Sequence, residues 1–174
     1  MTVHSAGSAI ASAVAPAFVL DRRQAVPALI GRHQDFLIVT GLAGTSRDVA
    51  ALTEDGAHTY TMAGADLGGA RGVLMMQSSG VGNCINMLSL TQGGRFPFLA
   101  LISMRGDFGE GNPWQYPMGK ATRPVLEAMD VTCLRAESPE DVVATVGAAL
   151  TMVFQANRAV AVLFTQKLLG AKKF

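Results

Sequence analysis

Two stretches of the chain combine residue types that could do chemistry. The first is Gln77-Ser-Ser-Gly-Val-Gly-Asn83. Its glycines permit unusual backbone angles, and a helix starting behind it would offer free N–H groups. The hydroxyls of Ser78 and Ser79 and the amides of Gln77 and Asn83 add neutral donors. Such a set can hold an anionic or carbonyl group, or it can be a plain strand-to-helix turn. The second stretch is Met104-Arg-Gly-Asp-Phe-Gly-Glu-Gly-Asn-Pro-Trp-Gln115. It is long, polar and glycine-rich, and long loops in compact domains are often functional. Arg105 could fork onto a carboxylate or sulfonate. Alternatively, it pairs with Asp107 or Glu110 and shapes the loop.

Other chemistries lack their residues. His4, His33 and His58 lie in no recognisable nucleophile motif. There is no GxSxG for a serine hydrolase, and no Walker A or GxGxxG for nucleotides. Cys84 and Cys133 stand far apart, with neither CxxC nor metal-ligand spacing, so they read as ordinary buried thiols.

Five short apolar runs must position these stretches: Phe36–Thr40, Val73–Gln77, Phe98–Ser103, Val131–Arg135 and Ala159–Phe164. Most are continuously apolar, as expected of strands covered on both faces. Helical spacing fills the intervals. In 138–156, Ser138 is a candidate N-cap, Pro139 takes the first helical position and Asp141 the third. Val142, Val146, Ala149, Leu150 and Val153 then share one face. Segment 119–129 repeats the trend through Ala121, Val125, Leu126 and Met129, and a helix over 83–91 follows the glycine-rich turn. The alternation predicts an α/β three-layer sandwich with a mostly parallel sheet. Ligands of such sheets bind beyond the carboxyl ends of the strands, here the loops 40–47, 77–83 and 103–115.

The chain has 174 residues, 49% of them hydrophobic, which suits a single α/β domain over 21–174 after an N-terminal segment 1–20. With 14 basic and 13 acidic residues and no basic block, nothing points to nucleic acid. No apolar run is long enough to span a membrane. Residues 6–20 are apolar, but no Lys or Arg precedes them as in a signal peptide, so the expected location is cytoplasmic.

From Val73 to Gly170 the chain resembles the alpha subunit of sulfopyruvate decarboxylase and its relative phosphonopyruvate decarboxylase. The residues that carry this are GVLMMQSSGVGNCINMLSL (72–90), ISMRGDFGEGNPWQYPMGKAT (102–122) and AVAVLFTQKLLG (159–170). Segments 36–52 and 58–70 look more like the start of the family's beta-type domain. The resemblance implies the pyrimidine-binding domain of a thiamin diphosphate enzyme, with the fold read above. It implies a hetero-oligomer, in which a separate beta subunit holds the diphosphate and its Mg2+. The family's metal motif is Gly-Asp-Gly with an Asn about 25–30 residues later. Here Gly106-Asp107-Phe108 is followed by Asn112 after only five residues, so no metal site is assigned to this chain.

By the same resemblance, Glu54 or Asp55 would take the place of the glutamate that activates the aminopyrimidine, a proton-transfer task. Gln77, Gly80 and Asn83 would touch the cofactor. Ser78, Ser79, Arg105, Asn112 and Gln115 would line the substrate side. The implied activity is release of CO2 and an aldehyde from sulfopyruvate or a similar small anionic 3-substituted 2-oxoacid. Two alternatives stand beside it: a thiamin-dependent carboligase forming hydroxyketones, and a non-catalytic, regulatory subunit that lost the activating carboxylate.

Overall fold

The computed structural model describes residues 62–171 with their side chains, together with the backbone of 30–33 and 36–40. Six strands form one sheet: β1 (Ile30–His33), β2 (Phe36–Thr40), β3 (Arg71–Gln77), β4 (Phe98–Ser103), β5 (Thr132–Ala136) and β6 (Ala159–Phe164). Their spatial order is β1-β2-β3-β4-β6-β5. All neighbours pair in parallel except β1 with β2, whose register sets His33 opposite Phe36. Strands so close in sequence can pair only antiparallel, because a parallel return needs a crossover of a dozen or more residues. Strand β1 was absent from the five apolar runs, being the polar tetrad Ile-Gly-Arg-His.

Three longer helices cover the sheet: α1 (Ser78–Gly94), α2 (Gln115–Ala128) and α3 (Pro139–Phe154). A short α4 (Gln166–Leu169) follows β6, and residues 62–67 form a helical segment before β3. The two-residue period of the strands divides the core. Leu74 and Met76 of β3, Ala100 and Ile102 of β4 and Leu163 of β6 pack with Val81, Cys84 and Leu88 of α1 and Leu126 of α2. Val73, Leu99, Leu101, Val160, Val162 and Phe164 face the other way, onto Val142, Val146, Ala149 and Val153 of α3. Both faces are therefore covered, which makes the three-layer α/β sandwich and explains why the central strands are apolar throughout. Full burial of each Val, Leu, Ile, Phe or Met among them contributes on the order of 1.5–3 kcal/mol.

Local signals set the helix ends. The Asp141 carboxylate accepts the N–H of Ser138 at 3.0 Å and that of Glu137 at 3.3 Å, closing the start of α3 as its sequence predicts. Helix α1 stops where Arg95 adopts a left-handed conformation, φ 54°. Its backbone carbonyl there accepts the side-chain amide of Asn157 at 2.9 Å.

Candidate functional site

The carboxyl ends of β3, β4 and β6 converge on one edge of the sheet, where three chain segments meet. At the end of β3 the expected glycine-rich loop 77–83 does not exist. Gln77 is extended (φ −84°, ψ 158°), and α1 begins at the next residue. Gly80 and Gly82 therefore lie inside the helix. Glycine disfavours a helix by about 1 kcal/mol, but burial of Val81, Cys84 and Leu88 on the sheet outweighs that cost. The side-chain oxygen of Gln77 accepts the Ser79 hydroxyl at 2.6 Å. Ser78 is wholly buried, and its hydroxyl accepts the backbone N–H of Arg105 at 3.0 Å. This makes Ser78 a tether between helix and loop. Asn83 stands one turn further along the same helix, and its Nδ2 is buried without a hydrogen-bond partner in the described residues.

At the end of β4 the loop 104–115 folds around the Glu110 carboxylate. Oε2 accepts Arg105 Nε at 2.5 Å, the Gly106 N–H at 3.2 Å and Gln166 Nε2 at 2.9 Å. Oε1 accepts Arg105 Nη2 at 2.7 Å and the Asn112 N–H at 2.9 Å. The Glu110 side chain has no exposed surface. Five donors satisfy it, two of them from one guanidinium in the planar, charge-assisted arrangement that suits arginine. The Arg105 hydrogen bonds, aided by the backbone N–H groups and opposed by burial, hold its carboxyl down at about 2. The same hydrogen bonds raise the Arg105 guanidinium above its ordinary value.

At the end of β6, Gln166 opens α4 and completes the frame. Its side-chain oxygen accepts the N–H groups of Asp107 at 2.8 Å and Phe108 at 3.0 Å, while its nitrogen donates to Glu110. One buried amide thus holds both limbs of the loop. The base of α2 closes the other side. Tyr116 donates its hydroxyl to the Glu110 carbonyl at 2.7 Å. The Arg105 and Gly106 carbonyls lie so near Gly119 that a Cβ there would approach them to 2.2 and 2.7 Å.

The structure brings Gln77, Ser78, Ser79 and Arg105 together at this edge, with Asn112 and Gln115 carried on the same loop. Of the two readings of Arg105, it shows the ion pair, and the partner is Glu110. Asp107 instead faces Arg135 of β5 at 3.8 Å. The Asn112 side-chain oxygen accepts the Trp114 N–H at 3.1 Å, and Trp114 itself is 87% exposed. Asp107 and Asn112 therefore serve different neighbours. Among the described residues no group of three His, Cys, Asp or Glu side chains stands together as a metal centre. Glu54, Asp55 and the segment 1–20 lie outside the described residues. Sequence reasoning missed Gln166 and the central place of Glu110. The signal for Gln166 was present, because it lies two residues past the end of β6, where the same ligand rule applies.

Among the described residues no helix is long and apolar enough to cross a membrane. Fold and site together define a three-layer α/β domain whose sheet edge carries a neutral amide–hydroxyl helix start beside a rigid, arginine-bearing loop. No protein-family model matches the chain. It is similar to the sulfopyruvate decarboxylase subunit alpha of Methanocaldococcus jannaschii, 35% identical over 103 residues, covering 59% of this chain and 61% of that one. To the same subunit of Methanococcus maripaludis it is 40% identical over 79 residues, 45% of this chain and 47% of that one. A phosphonopyruvate decarboxylase of Streptomyces viridochromogenes is 37% identical over 82 residues, 46% of this chain but 21% of the relative. The chain thus matches less than two thirds of the length of each of these relatives. The similarity supports the family resemblance read from its residues.

Proposed function

We propose that the chain is the alpha subunit of a thiamin diphosphate-dependent decarboxylase. It acts on sulfopyruvate or a similar 3-substituted 2-oxoacid, releasing CO2 and an aldehyde. A beta subunit carries the diphosphate and its Mg2+, and the two chains share the cofactor. The relatives' names supply the substrate class: both are pyruvates with an anionic group. The observation that carries the reading is Asn83 Nδ2, a buried donor without a partner among the described residues, one helical turn from the Gln77–Ser79 pair. A buried unpaired N–H costs about 1–3 kcal/mol, so a ligand that accepts it regains that energy.

The residues fit a half-site for the aminopyrimidine end of the cofactor. That end is an uncharged heterocycle, and Gln77, Ser79 and Asn83 offer it neutral donors and acceptors, with Gly80 on the same helix turn. When bound, the cofactor supplies the electron sink that decarboxylation of a 2-oxoacid requires. Glu54 or Asp55 would supply the proton-transfer carboxylate. Arg105, Asn112 and Gln115 border the substrate side, on a loop that Glu110 keeps in one shape. Such pre-set geometry matters, because misplacement by about 1 Å can cost roughly a hundredfold in rate.

The test is reconstitution of this chain with a beta-type partner bearing the Gly-Asp-Gly and distant Asn motif. CO2 release from sulfopyruvate should require both chains, thiamin diphosphate and Mg2+. Alanine at Glu54 and at Asp55, taken singly, should abolish it in one case. Activity untouched by both substitutions, or no activity from any reconstituted pair, would sink the proposal.

A further inference from the structure

Resting on the decarboxylase reading above, we propose that Glu110 is a positioning residue for substrate selection. It grips one edge of the Arg105 guanidinium so that the other edge is presented to the anionic tail of the 2-oxoacid. The guanidinium is a planar fork with five N–H donors. Glu110 takes the Nε and Nη2 side, at 2.5 and 2.7 Å. No hydrogen bond to Nη1 exists among the described residues, and Nη1 is not among the buried unpaired atoms, a group that consists of Asn83 Nδ2 alone. The Arg105 side chain keeps 9% of its surface open, although Glu110 keeps none.

Glu110 cannot itself swing, because the Gly106 and Asn112 N–H groups and Gln166 Nε2 hold its two oxygens as well. Arg105 therefore has one rotational setting. The backbone N–H of the same residue is fixed on Ser78, at the start of α1, which anchors Arg105 to the helix that carries the proposed cofactor half-site. The charges of the pair cancel, so the tail is recognised through directed hydrogen bonds and not by a net positive field. A lysine could satisfy Glu110 but would have no second edge to offer.

The experiment uses the reconstituted pair and compares sulfopyruvate with pyruvate, which lacks the tail. Glu110→Gln should lower the ratio of kcat/KM for sulfopyruvate over pyruvate roughly tenfold or more, through KM, since the tail is anionic in ground and transition states alike. Arg105→Lys, which keeps a cation for Glu110 and so guards against misfolding, should lower the same ratio. A second readout is calorimetric binding of 3-sulfopropionate, an unreactive molecule with the same tail, which both substitutions should weaken by a similar factor. Equal losses on the two substrates, or an unchanged ratio in Arg105→Lys, would show a merely structural pair and overturn the inference. If the unsubstituted pair decarboxylates neither substrate, the enzyme reading fails by itself. Sulfopropionate binding then decides: weakened binding in the variants upholds the positioning role, and unchanged binding overturns it.

Discussion

The Ser78 hydroxyl accepts the Arg105 backbone N–H at 3.0 Å, joining the first residue of α1 to the loop after β4 across 27 residues of sequence. Both groups are buried. Ser78→Ala leaves the N–H without an acceptor, at a cost of about 1–3 kcal/mol. For a chain of this size that lowers Tm by roughly 2–4 °C per kcal/mol. Thermal unfolding followed by circular dichroism checks it, and an unchanged Tm would show that the loop does not depend on this tether.

Acid should loosen the loop over a defined range. The Glu110 carboxyl is held at about 2 in the fold, against an ordinary value of 4.5. A lowered folded value means that the unfolded chain takes up a proton first as pH falls. The stabilisation is therefore complete above about pH 4.5 and is lost progressively toward about pH 2. The difference in denaturant midpoint between the parent chain and the double variant Arg105→Gln/Glu110→Gln should shrink across that interval. A difference constant from pH 6 to pH 3 would contradict the assignment. Glu110→Gln alone, which strands a buried cation, should cost more than the double variant, about 3–5 kcal/mol.

Gly119 tests the close approach of α2 to the loop. A Cβ there would meet the Arg105 carbonyl at 2.2 Å, and backbone cannot step aside as a flexible side chain can. Gly119→Ala would ordinarily favour a helix by about 1 kcal/mol. Here it should destabilise by about 1–3 kcal/mol, the usual cost of overpacking. Urea unfolding gives the sign directly. Gly147→Ala, with nothing within 4 Å of its Cβ, is the matched control and should stabilise α3.

Asn83 predicts stability and function moving in opposite directions. Its Nδ2 lacks a partner among the described residues, so Asn83→Leu removes an unsatisfied donor and should leave the isolated chain as stable or slightly more stable. The same substitution should weaken thiamin diphosphate retention by the reconstituted pair, read by equilibrium dialysis. Loss of stability together with unchanged retention would show that Asn83 is a core residue only.

Strands were the most legible part of the fold. Phe36–Thr40, Phe98–Ser103 and Ala159–Phe164 are strands to the residue, because continuous apolar runs bounded by polar turns have few other uses in an α/β chain. Val131–Arg135 is shifted by one, to Thr132–Ala136. Helix 138–156 was equally clear and spans Pro139–Phe154. The helix read over 83–91 starts five residues earlier, because its glycines suggested a turn while its buried face decided otherwise. The helix read from 119 starts at Gln115, since its first turn, Gln-Tyr-Pro-Met, carries no apolar stripe. In the site, Arg105 and its pairing with an acid were readable from composition, but the choice of Glu110 over Asp107 depends on how the loop turns at Gly106 and Gly109, both with positive φ. The link to Gln166 was hidden by sequence distance and by the plainness of a single glutamine.

That link orders events during folding. Glu110 and Gln166 are 56 residues apart, and Gln166 lies on the last helix of the described chain. The sheet from β3 to β4 and the face of α1 can assemble from nearer contacts, whose closure is entropically cheaper. The loop cannot close around its carboxylate until β6 has entered the sheet between β4 and β5 and delivered α4 behind it. On the ribosome, the arginine-bearing edge is therefore among the last parts to mature. A nascent chain arrested before Gln166 would carry most of its core and an unformed site.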